Sequence, residues 1–240
     1  MATTRLTHHI SHQFDKELED IRSKVLAMGG LVEDHIQKVL DCFARGDFEP
    51  AEYVAVNDFK VNALEIEIDG DCTEILLRRQ PAASDLRLVL AVSKTITDLE
   101  RIGDEAEKIA RLVLNLRGAG GMSSYYVGML AMGHHVRRMV RAALDAFARM
   151  DTEAAFRVAQ EDKEIDTETD AIMRYLITYM MEDPRSITRV LDAVLSVRAF
   201  ERIGDHARNI CENVIYLVEG KDVRHVALEQ VEQELRAARD

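Results

Sequence analysis

Two stretches decide the fold: DLERIGDEAEKIA at residues 98–110 and FERIGDHARNICENV at residues 200–214. They share an identical core, Glu100-Arg101-Ile102-Gly103-Asp104 and Glu201-Arg202-Ile203-Gly204-Asp205, at an offset of 101 residues. Upstream a second register holds. Met28-Gly29 matches Met132-Gly133, Phe43-Ala44-Arg45 matches Phe147-Ala148-Arg149, Asp47 matches Asp151 and Asp58 matches Asp162, all at an offset of 104. The register changes by three residues only at the turn before each third helix, where a structural duplication tolerates a change of length. The chain is therefore two copies of one unit.

Each unit reads as three helices. Apolar residues at Phe14, Leu18, Ile21, Val25, Met28 and Val32, continuing past His35 to Val39 and Phe43, alternate in steps of three and four. That spacing draws one stripe along a long helix. A second helix starts after Gly46 and Asp47, with Pro50 in its first turn, and runs to about Arg79; Pro81 and Ser84 then turn the chain into a third. The third buries Val89, Val92, Ile96, Leu99, Gly103, Ala106, Ala110 and Val113 and ends in the linker containing Gly118, Gly120 and Gly121. The pattern then repeats, with helices over about 122–150, 152–181 and 184–219, closed by Gly220. The expected class is all-α: a six-helix bundle formed by two tandem three-helix repeats, over 1–118 and 122–220. A charged tail over 221–240 has room for a short seventh helix.

Composition agrees and excludes several functions. Hydrophobic residues make up 47% and charged residues 31%, with three prolines and no tryptophan, as in long packed helices. At 240 residues the core is large enough to need no disulfide or structural metal. The formal charge of -12, with basic residues scattered among acidic ones, argues against nucleic acid and suits cations or basic partner surfaces, besides conferring solubility. Cys42, Cys72 and Cys211 match neither a disulfide framework nor a zinc spacing and read as small buried side chains. No apolar signal segment is visible, and the longest apolar run, Leu88 to Val92, is too short to cross a bilayer. A cytoplasmic protein is expected, its membrane association peripheral.

The chemistry lies in carboxylates. Glu100 and Asp104, and Glu201 and Asp205, are four apart and stack on one helix face, where mutual repulsion costs about 0.2–0.5 kcal/mol per pair. An antiparallel hairpin turning near residue 81 sets Glu100 opposite Asn62 and Asp104 opposite Asp58. In the second half, a turn near 183 sets Glu201 against Asp166 or Ile165 and Asp205 against Asp162 or Glu161. Each repeat then presents four side-chain oxygen donors across two helices: Asp58, Asn62, Glu100 and Asp104 in the first; Asp162, Asp166, Glu201 and Asp205 in the second.

With Arg101 and Arg202 a quarter-turn away and no arginine evident on the same face, such clusters must protonate, stay hydrated or bind cations. All-oxygen donors suit hard or borderline divalent or trivalent ions such as Fe, Mn, Mg or Ca, with Zn admissible. The competing reading is a hydrated acidic face copied with the gene. Gly103 and Gly204 read as close-packing positions, and His35, equivalent to Met139, as a satisfied core histidine. His8, His9 and His12 read as surface polarity. His206, equivalent to Glu105, is left out of the second cluster.

The paired ERIGD segments, supported by RRQPAASDLR at 78–87 and YMMEDPRSI at 179–187, resemble the PhoU family of phosphate-uptake regulators from about Thr7 to Glu219. The resemblance implies a regulator that binds multinuclear metal clusters through E/D-x-x-x-D pairs and represses the phosphate-starvation response. The implied partners are the ATPase subunit of the phosphate ABC transporter and the membrane-bound phosphate-sensing histidine kinase, with a homodimer also implied. Asn62 departs from the pattern, which leads us to expect a weaker first cluster, or one holding fewer ions.

Two alternatives stand beside this. A ferritin-like di-metal carboxylate protein would need Glu-x-x-His on two helices, and none occurs. A metal-free structural adaptor would use the acidic patches to bind basic partners. No nucleophile with its base, phosphate loop or nucleotide fingerprint is present, so no catalytic residue is assigned and an enzyme is not expected.

Overall fold

The computed structural model describes residues 12–115, 126–224, 226 and 230. In chain order these form α1 (His12–Arg45), α2 (Glu49–Asn57), α3 (Phe59–Arg79), α4 (Ser84–Leu114), α5 (Tyr126–Arg149), α6 (Thr152–Glu182) and α7 (Ile187–Glu219). A single 3-10 turn at Pro184–Ser186 leads into α7, and no strand occurs among the described residues. The glycine linker, His8, His9 and most of the tail lie outside the described residues, as do the expected repeat boundaries at 118 and 122.

The apolar stripes read from the sequence are buried. Phe14, Leu18, Ile21, Val25, Met28, Val32, Val39 and Phe43 line the inner face of α1, and Val89, Val92, Ile96, Leu99, Ala106, Ala110 and Val113 that of α4. Helix ends follow local chemistry. Gly46 takes φ +69° and donates to the Cys42 carbonyl at 2.9 Å, stopping α1. Asp151 caps α6 by accepting from the Ala154 amide at 2.9 Å, and Gly220 at φ +72° closes α7.

One helix departs from expectation. The second helix of the first repeat divides at Asp58 into α2 and α3, whereas its counterpart α6 is unbroken. There the Val61 amide bonds the Asp58 carbonyl at 2.8 Å, an i+3 contact, while the Asn62 amide lies 3.4 Å from it. A local tightening of the turn is the cause. Neither proline nor glycine marks the place, so the sequence carries no sign of it.

The repeats pack against each other about an approximate two-fold axis. Arg22 reaches the Ala148 carbonyl at 3.0 Å while Glu33 meets Arg137 at 3.5 Å, so α1 and α5 run antiparallel. Likewise Arg87 donates to the Leu217 carbonyl at 3.3 Å, Asp98 meets His206 at 3.0 Å and Glu105 meets Arg202 at 2.7 Å, which makes α4 and α7 antiparallel. These four helices form the inner layer; α2 and α3 flank α1 and α4, and α6 flanks α5 and α7. The buried side chains of both repeats join in one core.

Glycine permits the closest approaches. A Cβ on Gly29 would lie 2.6 Å from Leu144, and the equivalent Gly133 is filled in the same way by Leu40, the equivalent of Leu144. The three cysteines are buried and free, as expected. His35 is fully buried as expected but not satisfied: neither ring nitrogen has a hydrogen-bond partner, and burial lowers its pKa. Its ring instead meets Tyr53 edge-on at 6.3 Å. Among the described residues no helix is long and apolar enough to cross a membrane.

Candidate metal centre

In the first repeat the close approach of α4 to the α2–α3 junction is made at Gly103. A Cβ there would come within 3.1 Å of Asp58 Oδ1 and Val61 Cγ1, so the glycine has the packing role read from the sequence. Asp58 is buried at 5% exposure, and its Oδ1, like the Oδ1 of neighbouring Asn62, has no hydrogen-bond partner. Burial pushes the Asp58 carboxyl up to about 6; the negative charges of Glu107 and Asp104 add to this, while the Asn62 amide and Arg111 oppose it.

Glu100 is raised by burial, then by Asp104, Glu65 and Asp58, with Arg101 opposing. Burial also raises Asp104, followed by Glu107 and Glu105. The four predicted residues of this repeat therefore share one electrostatic neighbourhood, in the hairpin register anticipated. Glu65 and Glu107 belong to it as well and were missed. Reading the α4 face one step past Asp104, at the same three-or-four spacing, would have found Glu107.

The second repeat is built alike at Gly204, whose absent side chain leaves a 3.4 Å approach to Ile165 of α6. Asp205 is raised by burial and then by Asp162, Glu201 and Asp166. Asp166 is raised by burial, Asp162, Glu201 and Asp170, with Arg208 opposing. All four predicted carboxylates therefore share one electrostatic neighbourhood here too.

The expectation that no arginine shares the face is wrong in this repeat. Arg208 Nη1 donates to Asp162 Oδ2 at 3.0 Å, and Arg198 Nη1 donates to both oxygens of Glu201, at 3.0 and 2.7 Å. Both arginines sit within a turn of the motif on α7, at positions a same-face reading covers but an adjacent-residue reading does not. His206 is turned away to Asp98, consistent with its exclusion from the cluster.

The donors in hand are oxygens, and the first repeat leaves two buried acceptor oxygens unsatisfied, a situation that a cation, a proton or water relieves. By that test the donors of the first cluster suit a hard cation around which they would have to draw together. The second fits one only where Arg208 and Arg198 give way. Among the described residues no three His, Cys, Asp or Glu side chains already converge as a set that could hold a metal ion. Carboxylates that repel one another, or point at guanidinium groups, spread in this way.

The PhoU domain model matches this chain twice, over residues 25–113 and 129–214. The chain belongs to the PhoU family. It is 52% identical over 230 residues to the phosphate-specific transport system accessory protein PhoU homolog of Pseudomonas aeruginosa, covering 96% of this chain and 95% of that one. It is 45% identical over 240 residues to the accessory protein PhoU of Escherichia coli K12, covering 100% and 99% of the two chains. The crystal structure of PhoU from Pseudomonas aeruginosa superimposes with a TM-score of 0.84 over 87% of this chain and 100% of that one, at 52% identity. That of the phosphate transport system regulatory protein PhoU from Streptococcus pneumoniae gives a TM-score of 0.81 over 88% and 99%, at 32% identity. Both matched segments contain one of the carboxylate clusters.

Proposed function

We propose that this protein is a metal-binding negative regulator of phosphate uptake and of the phosphate-starvation response. In this reading it is a cytoplasmic homodimer that links the ATPase subunit of the phosphate ABC transporter to the phosphate-sensing histidine kinase. Membership of a family whose relatives are named as accessory proteins of phosphate transport supports the regulatory part. The metal part rests on one observation: the unpartnered buried oxygens of Asp58 and Asn62 beside Glu100 and Asp104.

A bound divalent or trivalent ion would supply charge compensation rather than reaction chemistry. Asp58, Asn62, Glu100 and Asp104 would hold it in the first repeat, and Asp162, Asp166, Glu201 and Asp205 in the second. The chain's own part is to clamp α2–α3 onto α4, and α6 onto α7, when like charges that otherwise repel share a cation. Bundle rigidity, and the surface offered to a partner, would then depend on metal. When phosphate is plentiful, the regulator keeps the kinase in its phosphatase mode. Partner docking would account for a role at the membrane, no helix among the described residues being long and apolar enough to cross it.

Deleting the gene tests the regulatory claim, with constitutive alkaline phosphatase in phosphate-rich medium expected; a normally repressible response would count against it. Metal analysis of protein purified without a histidine tag tests the metal claim. Protein free of metal that still restores repression would favour the metal-free adaptor, a reading that the arginines at Asp162 and Glu201 support. Oxygen-dependent iron oxidation by the purified protein would instead favour the ferritin-like alternative.

A further inference from the structure

The two carboxylate clusters differ by a reversed ion pair. On α4, one turn beyond Asp104, Arg111 Nη2 donates to Glu107 Oε1 at 2.6 Å. On α7 the equivalent positions, 101 residues on, are Arg208 and Glu212, and Arg208 Nε donates to Glu212 Oε1 at 3.1 Å. The pairs differ in where the arginine goes. In the first repeat Arg111 is held by Glu107, and Oδ1 of the buried Asp58 is left without a partner. In the second, Arg208 reaches the facing helix, its Nη1 3.0 Å from Oδ2 of the equivalent Asp162.

We propose that this reversal makes the two clusters unequal cation sites. The first is open, with Arg111 bonded to Glu107 and not to a cluster donor; the second carries Arg208 as a tethered counter-ion that an incoming metal must displace. This rests on the metal-binding reading given above. Replacing aspartate by Asn62 removes one negative charge from the first cluster, but the second carries two guanidinium groups directly on its donors, Arg208 on Asp162 and Arg198 on Glu201. The first cluster is therefore the stronger site, the reverse of what Asn62 alone suggests.

Entry differs in the same sense. At the first cluster an ion meets Asp58 Oδ1 and Asn62 Oδ1, which have no bond to break. At the second it must break the partly buried bond between Arg208 and Asp162, and charge-assisted hydrogen bonds are among the stronger contacts in a protein. Arg208 has a place to go, since Glu212 already holds it through Nε. The second site is thus exchangeable rather than closed.

The test is Mn2+ binding to metal-stripped, untagged, full-length protein, followed by electron paramagnetic resonance of the free ion and by calorimetry. Two classes of site separated by roughly ten-fold or more in Kd are expected, a factor that corresponds to about 1.4 kcal/mol. Asp58→Ala removes the tight class and Asp162→Ala the weak one. Exchanging the second pair, Arg208→Glu with Glu212→Arg, brings the weak class up to the tight one. Exchanging the first, Glu107→Arg with Arg111→Glu, brings the tight class down.

Both exchanges keep an opposite-charge pair at the same spacing. Arg208→Gln, which drops the cation but keeps a donor, tests the same point with a milder change. Thermal unfolding in chelator verifies that each variant folds. Two equal classes, or two classes indifferent to the exchanges, overturn the inequality and leave metal binding standing. No Mn2+ binding by any variant overturns both.

Discussion

Leu40 of α1 occupies the space that a side chain on Gly133 of α5 would need, with the Phe200 ring 3.0 Å away on the other side. The mirror contact, Leu144 over Gly29, is looser: Leu144 lies at the rim with 7% exposure, whereas Leu40 and Phe200 are locked in the core. In an exposed helix, glycine to alanine gains about 1 kcal/mol. Overpacking a locked core loses about 1–3 kcal/mol, so Gly133→Ala is expected to be net destabilising and Gly29→Ala close to neutral. Chemical unfolding of the two variants side by side tests this. Equal midpoints would show that both leucines yield with equal ease, and the packing argument would fail.

Gly46 presents a purely backbone case. Its φ is +69°, and a Cβ there would meet nothing within 4 Å. Gly46→Ala should therefore cost about 1–2 kcal/mol from left-handed strain alone, with no packing change to confuse the result. The equivalent Met150 already sits at φ +53° and bears that strain in the native chain. If Gly46→Ala leaves the unfolding midpoint unchanged, the turn after α1 is not held in the left-handed region.

These two turns mark what a sequence can and cannot disclose. Gly46 was readable as a stop, whereas nothing about Met150 announces a left-handed residue; the packing of the helices on either side imposes it. The helix stripes and the hairpin registers were legible because each follows from periodicity within one repeat. Three features depend on other contacts and were not: the division of the helix at Asp58, the guanidinium groups on Asp162 and Glu201, and the antiparallel crossing of α4 and α7. Arg208 was the most accessible of these, since aligning Glu107 and Arg111 with Arg208 and Glu212 exposes the reversal of charge.

Asp58 gives the first repeat a pH signature. Burial, with help from Glu107 and Asp104, raises its carboxyl from 3.8 in the unfolded reference to about 6 when folded. The folded state therefore binds the proton more tightly than the unfolded chain, and in chelator stability falls as the pH rises from about 4 through about 6. The loss reaches about 1–3 kcal/mol above that range. Asp58→Asn should remove this slope, leaving the variant more stable than the parent at pH 7 and no different in this term below pH 4. Urea unfolding across pH 4–8 would detect it. Parallel curves for the two proteins would mean that the carboxyl is not raised.

At the crossing of α4 and α7, two polar contacts should differ sharply in strength. Asp98 accepts from three groups of α7: His206 Nδ1 at 3.0 Å, Asn209 Nδ2 at 3.1 Å and Asn213 Nδ2 at 3.4 Å. His206 and Asn213 are buried, so Asp98→Ala leaves polar groups without an acceptor and should cost about 2–4 kcal/mol. Glu105, the equivalent of His206, is met instead by Arg202 at 2.7 Å, and the arginine side chain is 58% exposed. Water can replace it, and Lys108 Nζ still lies 3.1 Å from Glu105 after Arg202→Ala, which should therefore lose under about 1 kcal/mol. Thermal unfolding of both variants decides the matter. A larger loss from Arg202→Ala than from Asp98→Ala would place the junction of the two repeats on the exposed ion pair and not on the half-buried carboxylate.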